Sequence, residues 1–285
     1  MRACEQPQTD ILSKMDQPYR LIALDIDGTI RGETLEPSEF VLETLNRCHQ
    51  QGVEIVAATG RSKISAYEYL QHFPMVNYVI SFQGAVISSR DSQQLIWEAP
   101  MDEHQVDLAI KVLENHPVER VVYVDDYILV ESMTDWASSY GLRNGVEVVV
   151  SDSFLDREGS VYRVLAVGSD EEIIQVEKRV KTLHSDSVYA TRSLRHFCEI
   201  LSPCAGKDKA LDWLCKQMDI DRDEAVAFGN GLNDLEMLSW AGRGVAIEGG
   251  EPEALAVSAA VAPPVEQDGV AVYLSGLLSQ NLIRG

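Results

Sequence analysis

Short apolar runs alternate with amphipathic stretches through the first third of the chain. LIAL at 21–24 stops at an acidic cluster, as a buried strand feeding a loop does. Pro37-Ser38 then opens EFVLETLNRCHQQG, where Phe40, Val41, Leu45 and Cys48 recur at helical spacing and Gly52 supplies the stop. VEIVAA at 53–58 reads as a second buried strand, Thr59-Gly60-Arg61-Ser62 opens the helix ISAYEYLQHF, and NYVISF at 77–82 is a third strand. Strands alternating with helices predict βαβ units and a doubly wound, mostly parallel sheet covered on both faces.

Past Gly84 the rhythm changes. Strand-like runs (AVISS, QLIWEA, RVVYV, YILV, EVVV, YRVLAV) crowd together, interrupted by the helical stretches DEHQVDLAIKVLEN and DEEIIQVEKRVKTLH. This predicts an inserted α+β unit over 85–195, one sheet with helices on one face. The doubly wound pattern resumes at FCEILSP (197–203), followed by KALDWLCKQM, EAVAFGNG with LNDLEMLSW, GVAI and a C-terminal helix near GVAVYLSGLL. The expected organisation is α/β: a leader over 1–19, a Rossmann-like core from 20–84 and 196–285, and an inserted cap between. Asp125-Asp126, between VVYV and YILV, reads as a hairpin turn.

Composition narrows the partners. The chain has 285 residues, 45% of them hydrophobic and 24% charged, as in ordinary globular proteins. No run approaches the roughly 20 apolar residues that span a bilayer, so no membrane partner is expected. The first 20 residues contain no apolar signal region and read as a flexible leader, with Met15 a second candidate start. Five cysteines without a CxxC spacing argue against a zinc site or disulfide framework and point to the reducing cytoplasm. A net charge of −21 argues against nucleic acid, which needs a basic footprint. Nothing in the sequence specifies an oligomeric state.

Four segments carry candidate chemistry. Asp25 and Asp27 stand two apart where a buried strand meets Gly28-Thr29, suiting a nucleophile beside a general acid; alone, the pair reads equally as an Asx turn. Thr59-Gly60-Arg61 opens a helix after a strand, where backbone N–H groups welcome a phosphate or simply cap the helix. Lys207 is a cation at a helix start, which the dipole disfavours, or a solvated lysine. Gly229-Asn230-Gly231-Leu232-Asn233-Asp234 imitates a dinucleotide fingerprint, but Asp234 stands where the third glycine belongs and would repel a pyrophosphate. Oxygens from Asn230 and Asp234 suit Mg²⁺ instead. All four segments lie at carboxyl ends of expected parallel strands, where such sheets bind ligands. Asp25, Asp27 and Asp234 against Lys207 and Arg61 leave one negative charge in excess, which Mg²⁺ would reverse before a phosphate arrived. Arg192, Arg195 and His196 approach the cap's exit strand and either face a substrate anion or are exposed.

With these residues in place the chain resembles the haloacid dehalogenase-like hydrolases, in particular their Cof-type branch with a large α/β cap. DIDGTI is similar to the family's first motif, ATGRS to the second, GKDKAL to the third, and FGNGLNDLEML with GVAI to the fourth; SFQGAVI is similar to its entry into the cap. The resemblance implies a Mg²⁺-dependent phosphatase acting on a small phosphorylated metabolite such as a sugar phosphate. It implies Asp25 as nucleophile, forming an aspartyl-phosphate, and Asp27 as acid and base. Thr59, Gly60, Lys207 and Asn233 would bind the phosphoryl group, and Asp25, Asp27 through its backbone carbonyl, Asn230 and Asp234 the metal. Three positions depart from the pattern: Asn230 for a metal-ligating Asp, Gln83 for Asn, and Asp208 for Gly. An amide at 230 carries no charge, so Asp234 is expected to bear more of the metal. A phosphosugar mutase or a non-catalytic phospho-ligand sensor would carry the same motifs.

Overall fold

The computed structural model describes residues 18–32, 36–154 and 157–285. The leader expected over 1–19, Met15 included, lies outside them up to residue 17. In chain order, β1 (Leu21–Leu24), α1 (Glu39–Gln50), β2 (Glu54–Ala58), α2 (Lys63–Leu70) and β3 (Tyr78–Ser81) form the expected βαβ units. Ser38 caps α1, its hydroxyl accepting from the Val41 amide at 3.1 Å, and Gly52 takes the left-handed conformation at φ 85°. β4 (Val86–Ser89) and β5 (Leu95–Glu98) follow, then α3 (Glu103–Leu113), β6 (Glu119–Val124), β7 (Tyr127–Val130), α4 (Asp135–Asn144), β8 (Glu147–Val150), β9 (Val161–Val167), α5 (Asp170–Leu183), β10 (Tyr189–Thr191) and β11 (Phe197–Leu201). The chain ends with α6 (Lys207–Gln217), β12 (Ala225–Gly229), α7 (Leu235–Trp240), β13 (Arg243–Ile247), α8 (Pro252–Val257), β14 (Ala260–Ala262) and α9 (Gly269–Ser279).

Two sheets result. The first runs β14-β13-β12-β1-β2-β3-β4-β5, parallel from β14 to β3. Its strands are apolar throughout because both faces are covered: α1 and α9 pack on one side with Ile22, Leu24, Ile55 and Phe228, and α6 and α7 on the other with Leu21, Ala23, Val56 and Ala227. The second sheet runs β10-β11-β9-β6-β7-β8, antiparallel except between β7 and β8. In β6, Val122 and Val124 face α3 and α5, whereas Val121 and Tyr123 face Phe82, Val86 and Leu201. Asp125-Asp126 is the β6–β7 turn, with Asp125 at φ 43°.

The sheet pairings correct the expected strand membership. AVISS and QLIWEA were expected in the insert and FCEILSP in the returning core. Instead β4 and β5 extend the first sheet antiparallel, because the left-handed run Phe82-Gln83-Gly84 turns the chain back along β3. β11 pairs antiparallel with β9 and β10, so the return to the core comes after Leu201. Helices also cover both faces of the second sheet, not one. α4, missed in the sequence, packs Trp136, Ala137 and Tyr140 on the face opposite α3 and α5; its Thr134 cap and left-handed Gly145 stop were the readable signals. No described helix is long and apolar enough to cross a membrane.

Candidate active site

Parallel register brings four strand ends to one edge. Leu24 lies opposite Ala57 and Phe228, and Ala58 opposite Ile80. Asp25, Thr59, Phe82 and Asn230 are the first residues beyond these strands, and Lys207, the first residue of α6, joins them from the chain's second crossing between the sheets.

Asp25 is only 4% exposed, and Lys207 only 2%. Lys207 Nζ donates to Asp25 Oδ1 at 2.7 Å and to Asp234 Oδ1 at 2.6 Å. Asp234 Oδ2 accepts from the backbone amides of Asn230 and Gly231, both at 2.9 Å, and so folds the loop over its own carboxylate. The lysine is therefore a buried bridge rather than a solvated side chain. Two carboxylates against one ammonium leave this inner cluster one negative charge in excess. Burial and the Asp234 charge raise the Asp25 pKa to about 7, against the pull of Lys207. Burial opposes the Lys207 ammonium, but the two carboxylates outweigh it and hold its pKa above the usual lysine value.

The Thr29 hydroxyl has one proton and two acceptors, Asp25 Oδ2 at 3.2 Å and Asn230 Oδ1 at 3.0 Å. Surplus oxygen lone pairs beside an uncompensated negative charge are the donor chemistry of a hard cation, so these residues fit Mg²⁺. Asp234 fits the expected larger share less well, because both its oxygens already accept from Lys207 and the backbone. Among the described residues no three His, Cys, Asp or Glu side chains gather as a metal set, so an amide or backbone oxygen would have to complete one.

Asp27 faces a different set of charges. Arg61 grips both its oxygens at 2.7 Å, and Arg31 adds a contact at 2.8 Å. Burial raises its pKa, but the two guanidiniums more than reverse this and hold it below the usual carboxylate range. The sequence count of charges included Arg61 and overlooked Arg31, so the negative excess belongs to the Asp25–Asp234 side alone.

The phosphate-binding candidates line the same edge. Thr59, 1% exposed, accepts from the Arg61 amide at 3.2 Å, which leaves its hydroxyl proton available to a ligand. At Gly60 a β-carbon would come within 2.3 Å of Gln83 Nε2, so only glycine admits the amide there. Asn233 Nδ2 donates to Gln83 Oε1 at 3.1 Å. Glu199 and Arg163, which sequence reading missed, meet this group from the second sheet: Glu199 accepts from Gln83 Nε2 at 2.8 Å and pairs with Arg163, whose guanidinium donates to the Gly60 carbonyl at 2.8 Å. Their signal was a lone charge inside each of two apolar strands, YRVLAV and FCEIL. Arg192 is paired with Asp170 and Glu177, at 3.4 and 2.8 Å. With exposed Arg195 it borders a cavity of about 460 Å³ that reaches Asn230 and Gly231. His196 is exposed.

This arrangement defines a class. Residues 22–274 match the family of haloacid dehalogenase-like hydrolases, and the chain belongs to that family, in its Cof-type branch. It is a phosphatase. Among its relatives is the 5-amino-6-(5-phospho-D-ribitylamino)uracil phosphatase YitU of Bacillus subtilis, 26% identical over 92% of this chain and 98% of its own length. The phosphatase YwpJ of Bacillus subtilis is 26% identical over 91% of this chain and 100% of its own. The solved structure of a haloacid dehalogenase-like hydrolase from Bacteroides thetaiotaomicron superposes with a TM-score of 0.77 at 25% identity, covering 91% of this chain and 99% of that one.

Proposed function

We propose that the protein hydrolyses small phosphorylated metabolites, sugar phosphates or similar, through an aspartyl-phosphate on Asp25 with Mg²⁺ as cofactor. The observation that carries this reading is the burial of the Asp25 carboxylate between Lys207 and Thr29, at the point where four strand ends meet. Asp25 Oδ attacks phosphorus as the bond to the leaving oxygen breaks, and Asp27, in the protonated form that its two guanidinium partners keep scarce, delivers its proton to that oxygen. Asp27, then a base, takes a proton from the water that attacks phosphorus and restores Asp25. Lys207 offsets charge on the phosphoryl oxygens, and Thr59, the Gly60 backbone and Asn233 orient them. Asp25, the Asp27 carbonyl, Asn230 and Asp234 would hold Mg²⁺, which supplies the positive charge that the inner cluster lacks. The second sheet and its helices would shape the leaving-group side, where the cavity beside Arg195 lies. A cytoplasmic setting belongs to the same reading, on the number and spacing of the cysteines in the sequence.

The test is a panel of phosphorylated sugars and related metabolites, assayed with Mg²⁺ for free phosphate and for incorporation of oxygen from labelled water. Release with the label in phosphate, abolished by Asp25→Asn, is the expected result. Transfer to a second sugar without free phosphate would indicate a mutase. No turnover, or activity unchanged in Asp25→Asn, would overturn the mechanism.

A further inference from the structure

Gln83 is buried, at 1% exposure, and holds φ 54°, next to Phe82 at φ 48°. For side-chain-bearing residues the left-handed region costs on the order of 1 kcal/mol each, so it persists only where surroundings over-determine it. Here the surroundings are polar and cross between the sheets. The Gln83 backbone amide donates to the Thr59 carbonyl at 3.0 Å, its Nε2 donates to Glu199 at 2.8 Å, and its Oε1 accepts from Asn233 Nδ2 at 3.1 Å. Glu199, 1% exposed, is anchored by Arg163 and by the Ser193 hydroxyl, and the Arg163 guanidinium lies 4.1 Å from the Tyr123 ring centre.

The chemistry of these groups fixes a direction. An ionised carboxylate can only accept, so Gln83 must present its NH₂ to Glu199 and its carbonyl oxygen to Asn233. Asn233 must in turn present its NH₂ to Gln83, which leaves the second hydrogen of that NH₂ for another acceptor. A flipped Gln83 would set its oxygen against the carboxylate, and Asn233 would then turn its own oxygen toward the cradle.

We infer that Glu199 is a positioning residue that acts through Gln83 to orient the Asn233 amide as a donor to the phosphoryl group. The inference rests on the proposed place of Asn233 in the phosphate cradle. Glu199, Arg163 and Ser193 all belong to the second sheet or its connections, so the cradle is completed only when that sheet is seated on the first.

A double-mutant cycle tests it, with p-nitrophenyl phosphate and Mg²⁺ for turnover and orthovanadate for binding. Gln83→Met leaves the Arg163–Glu199 pair intact and removes the relay; Glu199→Gln removes the obligate acceptor. Each is expected to lower kcat and vanadate affinity roughly tenfold, less than the roughly hundredfold cost of deleting a transition-state donor outright, because the Asn233 amide loses its orientation and not its place. In an Asn233→Ala background the same substitutions should change either quantity less than about twofold, because coupled residues do not add. Additive losses would overturn the relay. Wild-type vanadate binding in Asn233→Ala would overturn it too, by removing Asn233 from the cradle. The vanadate arm needs no turnover, so failure of the relay and failure of the hydrolytic mechanism are read separately.

Discussion

Arg61 holds the Asp27 carboxylate at both oxygens, Nε to Oδ2 and a terminal guanidinium nitrogen to Oδ1, each at 2.7 Å. The grip favours the ionised form, which is the form that activates water but not the form that protonates a leaving oxygen. Arg61 thereby places Asp27 on the basic side of its two roles.

Replacing Arg61 by Met should let the Asp27 pKa rise. The limb of the kcat/KM–pH profile that reports Asp27 should then move upward by roughly one unit, the lower end of what an adjacent guanidinium exerts. Turnover should fall as well, because the carboxylate loses its alignment. A limb that stays in place would show that Asp27 is not the titrating group.

Asp25 gives a stability prediction with a definite sign. Its pKa is raised from 3.8 to about 7, so the folded metal-free protein keeps a proton that the unfolded chain releases. Stability from this group is complete below about pH 4 and is lost as pH rises through about 7. The thermal midpoint of metal-free protein should fall across that window. Asp25→Asn should flatten the fall and raise the midpoint at pH 8 by roughly 2–4 °C per kcal/mol recovered. Saturating Mg²⁺ should do the same to the wild type by mass action. An unchanged slope in the variant would place the titration elsewhere.

Lys207→Met strands two carboxylates in the interior. Breaking a buried pair from one side costs about 3–5 kcal/mol, so a loss of that size in the unfolding free energy, measured by denaturant titration, is expected at neutral pH. The loss should shrink as pH falls and the stranded carboxyls take up protons. Phosphatase activity should disappear even at temperatures where the variant is folded. A small, pH-independent shift would contradict the bridge between Asp25 and Asp234.

Asn230→Asp adds a charged oxygen where Thr29 now shares one proton between Asn230 and Asp25. Mg²⁺ affinity, measured by calorimetric titration, should increase. Equal or weaker affinity would count against residue 230 as a ligand.

Periodicity and strand-end chemistry made the parallel core, Asp25, Asp27, Thr59 and the 229–234 loop legible in the sequence, because each depends on neighbours within a few residues. The burial of Lys207 was not legible, since its partners Asp25 and Asp234 are 182 and 27 residues away. Nor was the role of Arg31, which meets Asp27 only because the loop after β1 curls back on itself. Strand membership at the sheet junction depended on the left-handed turn at 82–84, which neither Phe82 nor Gln83 advertises. Glu199 and Arg163 stood out only as lone charges in apolar strands. By itself the sequence determined which side chains reach the edge of the core sheet, because local spacing sets where strands end. Only the tertiary structure decided how their charges pair, because pairing depends on distances set by strands far apart in the chain.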